Sequence, residues 1–380
     1  VREAVIVTAK RTAVGKVGGM FKDIPPEELA ATLIRHILQD CKLHPASIDE
    51  VVLGNAVGPG GNLARLAALQ AGLSVTVPGV TIDRQCGSGL EAINMSLRLI
   101  QSGAADIVLA GGVESSSLAP WKIAKPSSLY HPGGPALFTR ARFSPDFIGD
   151  PDMGVAAENV AKQFRITRDD QDTYALNSHQ KAIHAQQTGR FQEEIVSVNG
   201  IAKDECPRQQ TSKEKLASLQ PVFQEGGTVT AGNACPINDG AALVLIMSVE
   251  KCKELGLSPL ARFVDATSAG VDPNILGVGP IPAVQKLLKR TNYSIEDIDV
   301  FEFNEAFASQ VLASIRALHI PENKLNLGGG ALALGHPYGA SGAILVTRLC
   351  AEMKRTGAKR GLATLGIGGG LGVATLLERV

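Results

Sequence analysis

Short β-branched runs and helical apolar stripes alternate along the first 110 residues of the chain. Glu3–Thr8 predicts a strand, and Pro25–Leu38 predicts a helix with proline and acids in its first turn. Val51–Ala56 predicts a second strand that runs into the glycine-rich Gly58–Gly61, and Asn62–Ala71 predicts a second helix. Val80, Thr81 and Ile82 form a third run that stops at polar residues. Leu90, Ile93, Leu97 and Ile100 then recur at helical spacing, predicting a helix that ends near Gly103 before a buried strand, Ile107–Ala110. This alternation predicts an α/β architecture.

From Leu118 to about Gly240 the texture changes. Pro120, Pro126, Pro132, Pro135, Pro145 and Pro151 share one stretch with Trp121. A loop that long inside a compact protein is a functional or interaction element. Two helical segments follow, and Thr167-Arg-Asp-Asp170 reads as a capping box opening the second, which should end at Gly189. Beyond residue 240 the early pattern returns. Ser47–Ala56 resembles Ser294–Ala306. Cys86-Gly-Ser-Gly89, with its helix, Ser102-Gly103 and strand, resembles Gly339-Ala-Ser-Gly342 with its helix, Thr356-Gly357 and strand. The offset stays near about 250 residues, so the chain reads as two similar α/β halves with an insertion in the first. In such a fold, ligands gather where the loops of both halves meet beyond the strand ends.

Composition narrows the function classes. Formal net charge is zero and hydrophobic content is 44%, which fits a soluble globular enzyme. No basic stripe points to nucleic acid, and no apolar run has the length of a membrane span. The first residues pass straight into a strand pattern, so no signal or transit peptide is expected. Cys41, Cys86, Cys206, Cys235, Cys252 and Cys350 form no Cys-x-x-Cys pair. Neither a zinc site nor a disulfide framework is indicated, and a cytoplasmic location is expected.

Cys86 falls at a strand-to-helix turn, ahead of Gly87-Ser88-Gly89. Unpaired N–H groups and the positive end of the helix dipole should lower its thiol pKa. The alternative is a small residue filling space at a turn. Three segments supply possible partners: Phe303–Phe307, Leu334–Gly342 and Leu365–Gly372. A cysteine, a histidine and an asparagine on such loops fit acyl transfer through a thioester. His336 would take the thiol proton, while Asn304 and backbone N–H groups would hold an oxyanion. Singly, His336, Asn304 and the glycine run each read as ordinary turn residues.

Together, Cys86-Gly-Ser-Gly, Asn304-Glu-Ala-Phe, Gly335-His-Pro and Gly368-Gly-Gly resemble the thiolase family over essentially the whole chain. The resemblance implies an α/β thiolase fold, with two duplicated βαβαβαββ-type halves in a layered αβαβα arrangement. It divides the chain into 1–117 (first part of the N-terminal half), 118–240 (an inserted loop domain that binds CoA), 241–255 (end of that half) and 256–380 (C-terminal half). A homodimer or homotetramer is implied, with contacts in the Trp121–Pro151 stretch. Coenzyme A and acyl-CoA enter as substrates, with no permanently bound cofactor and no metal. Cys86 would carry the acyl group, His336 would activate it, and Asn304 would fix a water in one oxyanion site. The N–H groups of Cys86 and Gly368 would form a second oxyanion hole. Met153, Arg208, Phe223, Ala231 and Cys235 fall at positions resembling coenzyme A contacts, Arg208 serving a phosphate and the others the pantetheine arm. Cys235 stands where serine is usual, and Asp152 where some biosynthetic members carry histidine.

Gly366 is the largest departure. Thiolases with the Gly-His-Pro pattern normally carry there a second cysteine, which moves the α-proton of the acyl acceptor. Losing a general acid or base typically lowers a rate by about 10²–10⁴-fold. Acylation of Cys86 needs only His336 and the second oxyanion hole. The sequence therefore leaves four readings open. The protein is a thiolase in which water or a neighbouring group fills the space, or a decarboxylating acyl-CoA condensing enzyme. Otherwise it is an acyl-CoA transferase or thioesterase, or a CoA-binding regulatory protein without chemistry.

Overall fold

The computed structural model describes all residues except Val1, Ser127, Leu129, His131 and Pro132, so Pro132 of the proline-rich stretch lies outside the described residues. Two halves share one strand plan. In the first, β1 (Ala4–Arg11), β2 (Glu50–Gly54), β3 (Gly79–Ile82), β4 (Ile107–Ser115) and β5 (Asn238–Ser248) lie in the order β3-β2-β4-β5-β1. In the second, β6 (Ala261–Gly270), β7 (Val300–Phe303), β8 (Arg360–Ile367) and β9 (Leu371–Arg379) lie in the order β7-β8-β9-β6. The halves join where β1 pairs antiparallel with β6, Val5 opposite Arg262 and Ile6 opposite Ala261. The place that β3 holds in the first half is taken in the second by a single parallel bridge, Phe301 to Leu325. Asn326 turns the chain away directly afterwards, at φ +44°.

Eight helices matter to the site: α1 (Pro26–Asp40), α2 (Leu63–Gln70), α3 (Ser88–Ser102), α4 (Met153–Phe164), α5 (Arg168–Gln187), α6 (Pro280–Thr291), α7 (Ala308–Leu318) and α8 (Tyr338–Thr356). The period-2 alternation of the strands sorts them into layers. Ala4 and Ile6 of β1 face a core built from Leu90, Ile93 and Leu97 of α3, Leu345 and Leu349 of α8, and Leu365 and Val373 of the second half. Val5 and Val7 face the other way, against Leu29, Leu33 and Ile37 of α1. On the far side, Leu287 of α6 and Val311 and Ile315 of α7 cover Phe301, Phe303 and Leu376. The layers therefore run α1/α2, half-sheet, α3/α8, half-sheet, α6/α7, the αβαβα arrangement that the family resemblance implies. α8 is buried on nearly every side, which marks a sandwiched helix rather than a surface one. Each fully buried leucine or isoleucine of this middle layer stabilises the fold by about 1.5–3 kcal/mol.

Local signals hold at the element ends. α3 stops at Gly103, which is left-handed at φ +78°. Thr167 and Asp170 form the reciprocal capping box that opens α5. The proline-rich stretch is not all loop, since Lys122–Ala124 pairs antiparallel with Ala136–Phe138. Three-residue strands with prolines on either side give too little alternation to be read from sequence. Among the described residues no helix is long and apolar enough to cross a membrane.

Candidate active site

Cys86 stands in the turn between β3 and α3, and short-range hydrogen bonds shape that turn. Asp83 Oδ1 accepts from the Gln85 N–H at 2.7 Å; Ser88 Oγ accepts from the Arg84 N–H at 2.8 Å and donates to the Gln85 carbonyl at 2.6 Å. Gln85 is thereby held left-handed at φ +47°, which delivers Cys86 to the start of α3. Three residues on, Gly89 packs against α8. A Cβ there would lie 2.6 Å from the Gly339 carbonyl oxygen. Only a glycine lets the two helix N-termini approach main chain to main chain. That contact brings the turn before α8 to the turn before α3.

His336 is in the second of these turns. Gly335 precedes it at φ +113°, and a side chain at 335 would overlap the Asn238 amide. Asn238 Oδ1 accepts from the His336 N–H at 2.8 Å. The ring is almost fully enclosed, with 2% of the residue exposed. Nδ1 lies 2.6 Å from Ser341 Oγ, and Nε2 lies 3.5 Å from Asn304 Nδ2. Tyr338 meets the imidazole edge to face at 5.1 Å. Asn304 itself ends β7 and is held by its neighbour. The buried Glu305 carboxylate accepts from Tyr174, Ser178, Asn326 and the Leu332 N–H, at 2.6–3.2 Å. Four donors on one buried carboxylate make this loop rigid.

The electrostatics differ from the sequence expectation. The N–H groups of Gly368 and of Cys86 itself face the Cys86 thiol and lower its pKa, but burial outweighs them and pushes it up to about 12. Burial likewise pushes His336 down to about 4. The resting pair is therefore a thiol and a neutral imidazole, not a thiolate and an imidazolium. Burial, with Cys86 next, also raises Cys235. Tyr338 is raised by burial, then by Cys235 and Cys86. Cys86, Cys235 and Tyr338 are therefore neighbours, with Tyr338 also against His336, and both cysteines are partly exposed.

A wall leads outward from these residues. The Cys235 N–H donates to the Ala306 carbonyl at 2.9 Å, and Ala234 bridges to Phe307. The Phe307 ring meets Phe223 edge to face at 6.1 Å. Phe223 lies on the start of α4, where a Cβ on Gly154, next to Met153, would stand 2.0 Å from the ring. Phe223 and the Ala234–Cys235 segment thus meet at Phe307, Met153 adjoins Gly154 in the chain, and Ala231 is exposed on the turn just before Cys235. Arg208 has a separate setting: it is exposed, and its N–H donates to His179 Nδ1 at 3.2 Å. Asp152 lies 3.8 Å from Arg140.

Gly366 is buried in β8, and its missing side chain is accounted for. A Cβ at 366 would stand 2.6 Å from Gln310 Nε2 and 2.9 Å from the Gly277 carbonyl oxygen. The Gln310 amide fills the space of the absent thiol, and an amide neither donates nor accepts a proton at working pH. In the following turn, Gly369 and Gly370 adopt φ +87° and +80°, so β8 reverses into β9 with the Gly368 N–H turned toward Cys86. Sequence reasoning missed Gln310, Ser341 and Asn238. Ser341 carried a signal, one turn into a helix five residues after a histidine. Gln310 and Asn238 act across the fold and carried none.

A duplicated, five-layered α/β fold with a cysteine, a histidine and an asparagine at the junction of its halves defines a class of acyl-transferring enzymes. The sequence matches the thiolase N-terminal domain over residues 4–250 and the thiolase C-terminal domain over residues 257–379. The chain belongs to the thiolase family and is an acyltransferase. It is 49% identical over 382 residues to a Staphylococcus epidermidis protein named as a candidate acetyl-CoA C-acetyltransferase, VraB, covering 100% of this chain and 99% of that one. The corresponding Staphylococcus aureus protein is 48% identical over 381 residues, 99% of either chain. The crystal structure of the Bacillus anthracis acetyl-CoA acetyltransferase superposes with a TM-score of 0.95 at 41% identity, covering 100% of this chain and 99% of that one.

Proposed function

We propose that the protein is an acyl-CoA C-acyltransferase that moves acyl groups to and from coenzyme A by a ping-pong route through a thioester on Cys86. The observation that carries this is the setting of Cys86: a protonated thiol facing the Gly368 N–H and neighbouring Tyr338, whose ring also meets a neutral His336 with Nε2 toward Asn304. With a 3-ketoacyl-CoA, His336 Nε2 takes the Cys86 proton as sulfur bonds to the keto carbon. The N–H groups of Cys86 and Gly368 hold the resulting oxyanion. The C2–C3 bond then breaks, leaving the acyl group on Cys86 and a carbanion at C2 of acetyl-CoA; that carbon takes a proton from water, while His336 releases the Cys86 proton to solvent and is neutral again. The thiol of a second coenzyme A, losing its proton to His336, attacks the acyl-Cys86; the acyl–sulfur bond to Cys86 breaks, and the cysteine sulfur takes that proton back from His336. Asn304 fixes a water beside the thioester oxygen. Met153, Phe223, Ala231 and Cys235 line the path for the pantetheine arm and Arg208 meets a phosphate, within an inserted region spanning 118–240.

One observation favours a second outcome for the acyl group. Gly366 and the Gln310 amide offer no group to carry the C2 proton, whereas acylation of Cys86 from acetyl-CoA needs none there. Transfer of the acyl group to an alternative thiol or to water, or condensation with a donor that loses carbon dioxide, requires no such base. The exposed Trp121 and Phe147 of the proline-rich stretch support contacts between subunits in a dimer or tetramer.

The test is mass spectrometry of the Cys86 peptide after incubation with acetyl-CoA. The native protein should gain one acetyl group at Cys86, and Cys86→Ala none. An unmodified native Cys86 would leave coenzyme A binding without chemistry. Acetoacetyl-CoA thiolysis, measured alongside, separates the two outcomes for the acyl group.

A further inference from the structure

Next to Asn304 and Ser341, the two residues that meet the His336 ring nitrogens, is a small cavity of about 20 Å³, lined also by Glu302, Arg11 and Arg348 among others. A space of this size holds one water. Two polar atoms of its lining residues are buried with no partner among the described residues: Glu302 Oε1, an acceptor, and Arg348 Nε, a donor. The other polar atoms of the two arginines are engaged. Arg348 Nη1 and Nη2 bind Glu194 and Glu352 at 2.7 Å, and Arg11 binds Glu194 and Asp204 at 2.7–2.9 Å.

The hydrogen-bond directions can be followed from the other end. The Asn304 amide nitrogen faces His336 Nε2 and can only donate, so Nε2 accepts and the ring proton sits on Nδ1. Ser341 Oγ, 2.6 Å away, therefore accepts from Nδ1–H. Its own hydroxyl hydrogen is then free to point into the cavity that it lines. One water accepting from Ser341 Oγ–H and Arg348 Nε–H and donating to Glu302 Oε1 satisfies every unpartnered group.

We infer that Glu302 is a positioning residue, which acts through one buried water and Ser341 to hold His336 in the tautomer that Asn304 also favours, so that Nε2 carries no proton and can act as a base. This rests on the proposed role of His336 and adds to it a residue two positions before Asn304 that never touches substrate. Glu302 is enclosed, with 1% exposed. Burial raises its carboxyl to about 7, Arg348 and Arg190 opposing the rise and Glu194 and Glu305 adding to it. The acceptor form therefore prevails above neutral pH.

The test is ¹⁵N NMR of the His336 ring nitrogens in the full-length, ligand-free protein at pH 8.5, together with the rate of Cys86 acetylation. Native protein should show the proton on Nδ1. Glu302→Leu should shift it wholly or partly to Nε2 and slow acetylation about tenfold or more, in keeping with the effect of a wrong histidine tautomer on a nucleophile's base, with the dissociation constant for coenzyme A unchanged. If Glu302→Leu does not fold, Ser341→Ala cuts the same relay and should move the ring proton likewise. A native ring protonated on Nε2, or a folded variant that keeps the native tautomer, overturns the inference. The tautomer is read without substrate, so a native protein that fails to acetylate Cys86 counts against the proposed function alone.

Discussion

Gln310 Nε2 lies where a side chain on Gly366 would begin, 2.6 Å from the Cβ position. The other obstacle, the Gly277 carbonyl oxygen at 2.9 Å, belongs to the main chain and yields less readily. Gly366→Cys alone should therefore be overpacked, losing about 1–3 kcal/mol of stability, with little gain in acetoacetyl-CoA thiolysis. Combining it with Gln310→Ala should recover part of the stability and raise thiolysis above the single variant. Denaturant midpoints and initial rates for both proteins check this. Equal thiolysis in the single and double variants would show that Gln310 does not exclude a thiol.

Phe223 rests on the bare Cα of Gly154. Gly154→Ala should displace the ring from Phe307 and disturb the proposed pantetheine wall without touching Cys86 or His336. The expected result is a KM for coenzyme A thioesters raised by about tenfold, or about 1.4 kcal/mol of lost binding, with kcat for acylation little changed. A fall in kcat at constant KM would place Phe223 with the chemistry instead.

Arg11 and Arg348 both stack on Phe191, at 5.1 and 4.5 Å from its ring, and Glu194 accepts from both. Glu194→Ala leaves two buried guanidinium groups without their shared anion. That should destabilise the protein by about 3–5 kcal/mol, the range for breaking a buried ion pair by removing one partner. The denaturant midpoint reads it directly. Glu194→Gln, which keeps the acceptor oxygen, should fall between native and alanine.

The buried carboxyls of Glu114 and Glu302 each rise from 4.5 to about 7, chiefly through burial. A raised acid pKa means that the native state binds the proton more tightly than the unfolded chain. The stability these groups contribute is then full below about 4.5 and is lost as pH climbs to about 7. His336 works the other way: held near 4 by burial, it removes stability as pH falls from 6.5 to about 4. Glu302→Gln removes one term of the first kind. The variant should gain on the native protein between pH 5 and pH 8, by up to about 3 kcal/mol for a group of this shift. A gap that does not widen over that interval would mean that Glu302 ionises normally.

Much of this molecule is legible in the sequence where the determinants are local. The stripe Leu90–Ile100, the stop at Gly103 and the Thr167–Asp170 box each act within a turn or two of chain, and each is where the pattern puts it. The duplication is legible because both halves bury similar faces in the same strand order. The state of Cys86 is not, because its burial is supplied by distant segments that close around it. Local reasoning sees the helix N-terminus and forecasts a lowered pKa; the packed environment reverses the sign. Gly366 reads as a missing thiol, but only the fold reveals that an amide from α7 already fills the gap. Phe301–Leu325 shows the same limit: one bridge pair leaves no periodic trace.

The contact between Gly89 and the Gly339 carbonyl sets the spacing of the two turns by peptide groups alone. Its dimensions are set by van der Waals contact between main-chain atoms, so they stay constant while amino acids elsewhere are exchanged. The outer helices α1, α2, α6 and α7 can thus drift in sequence, swap leucine for isoleucine or loosen with temperature, and the turns that carry Cys86 and His336 keep their spacing. Any side chain at position 89 acts as a wedge between the halves. A lineage carrying this architecture should therefore vary freely at its periphery and hardly at all along this one seam.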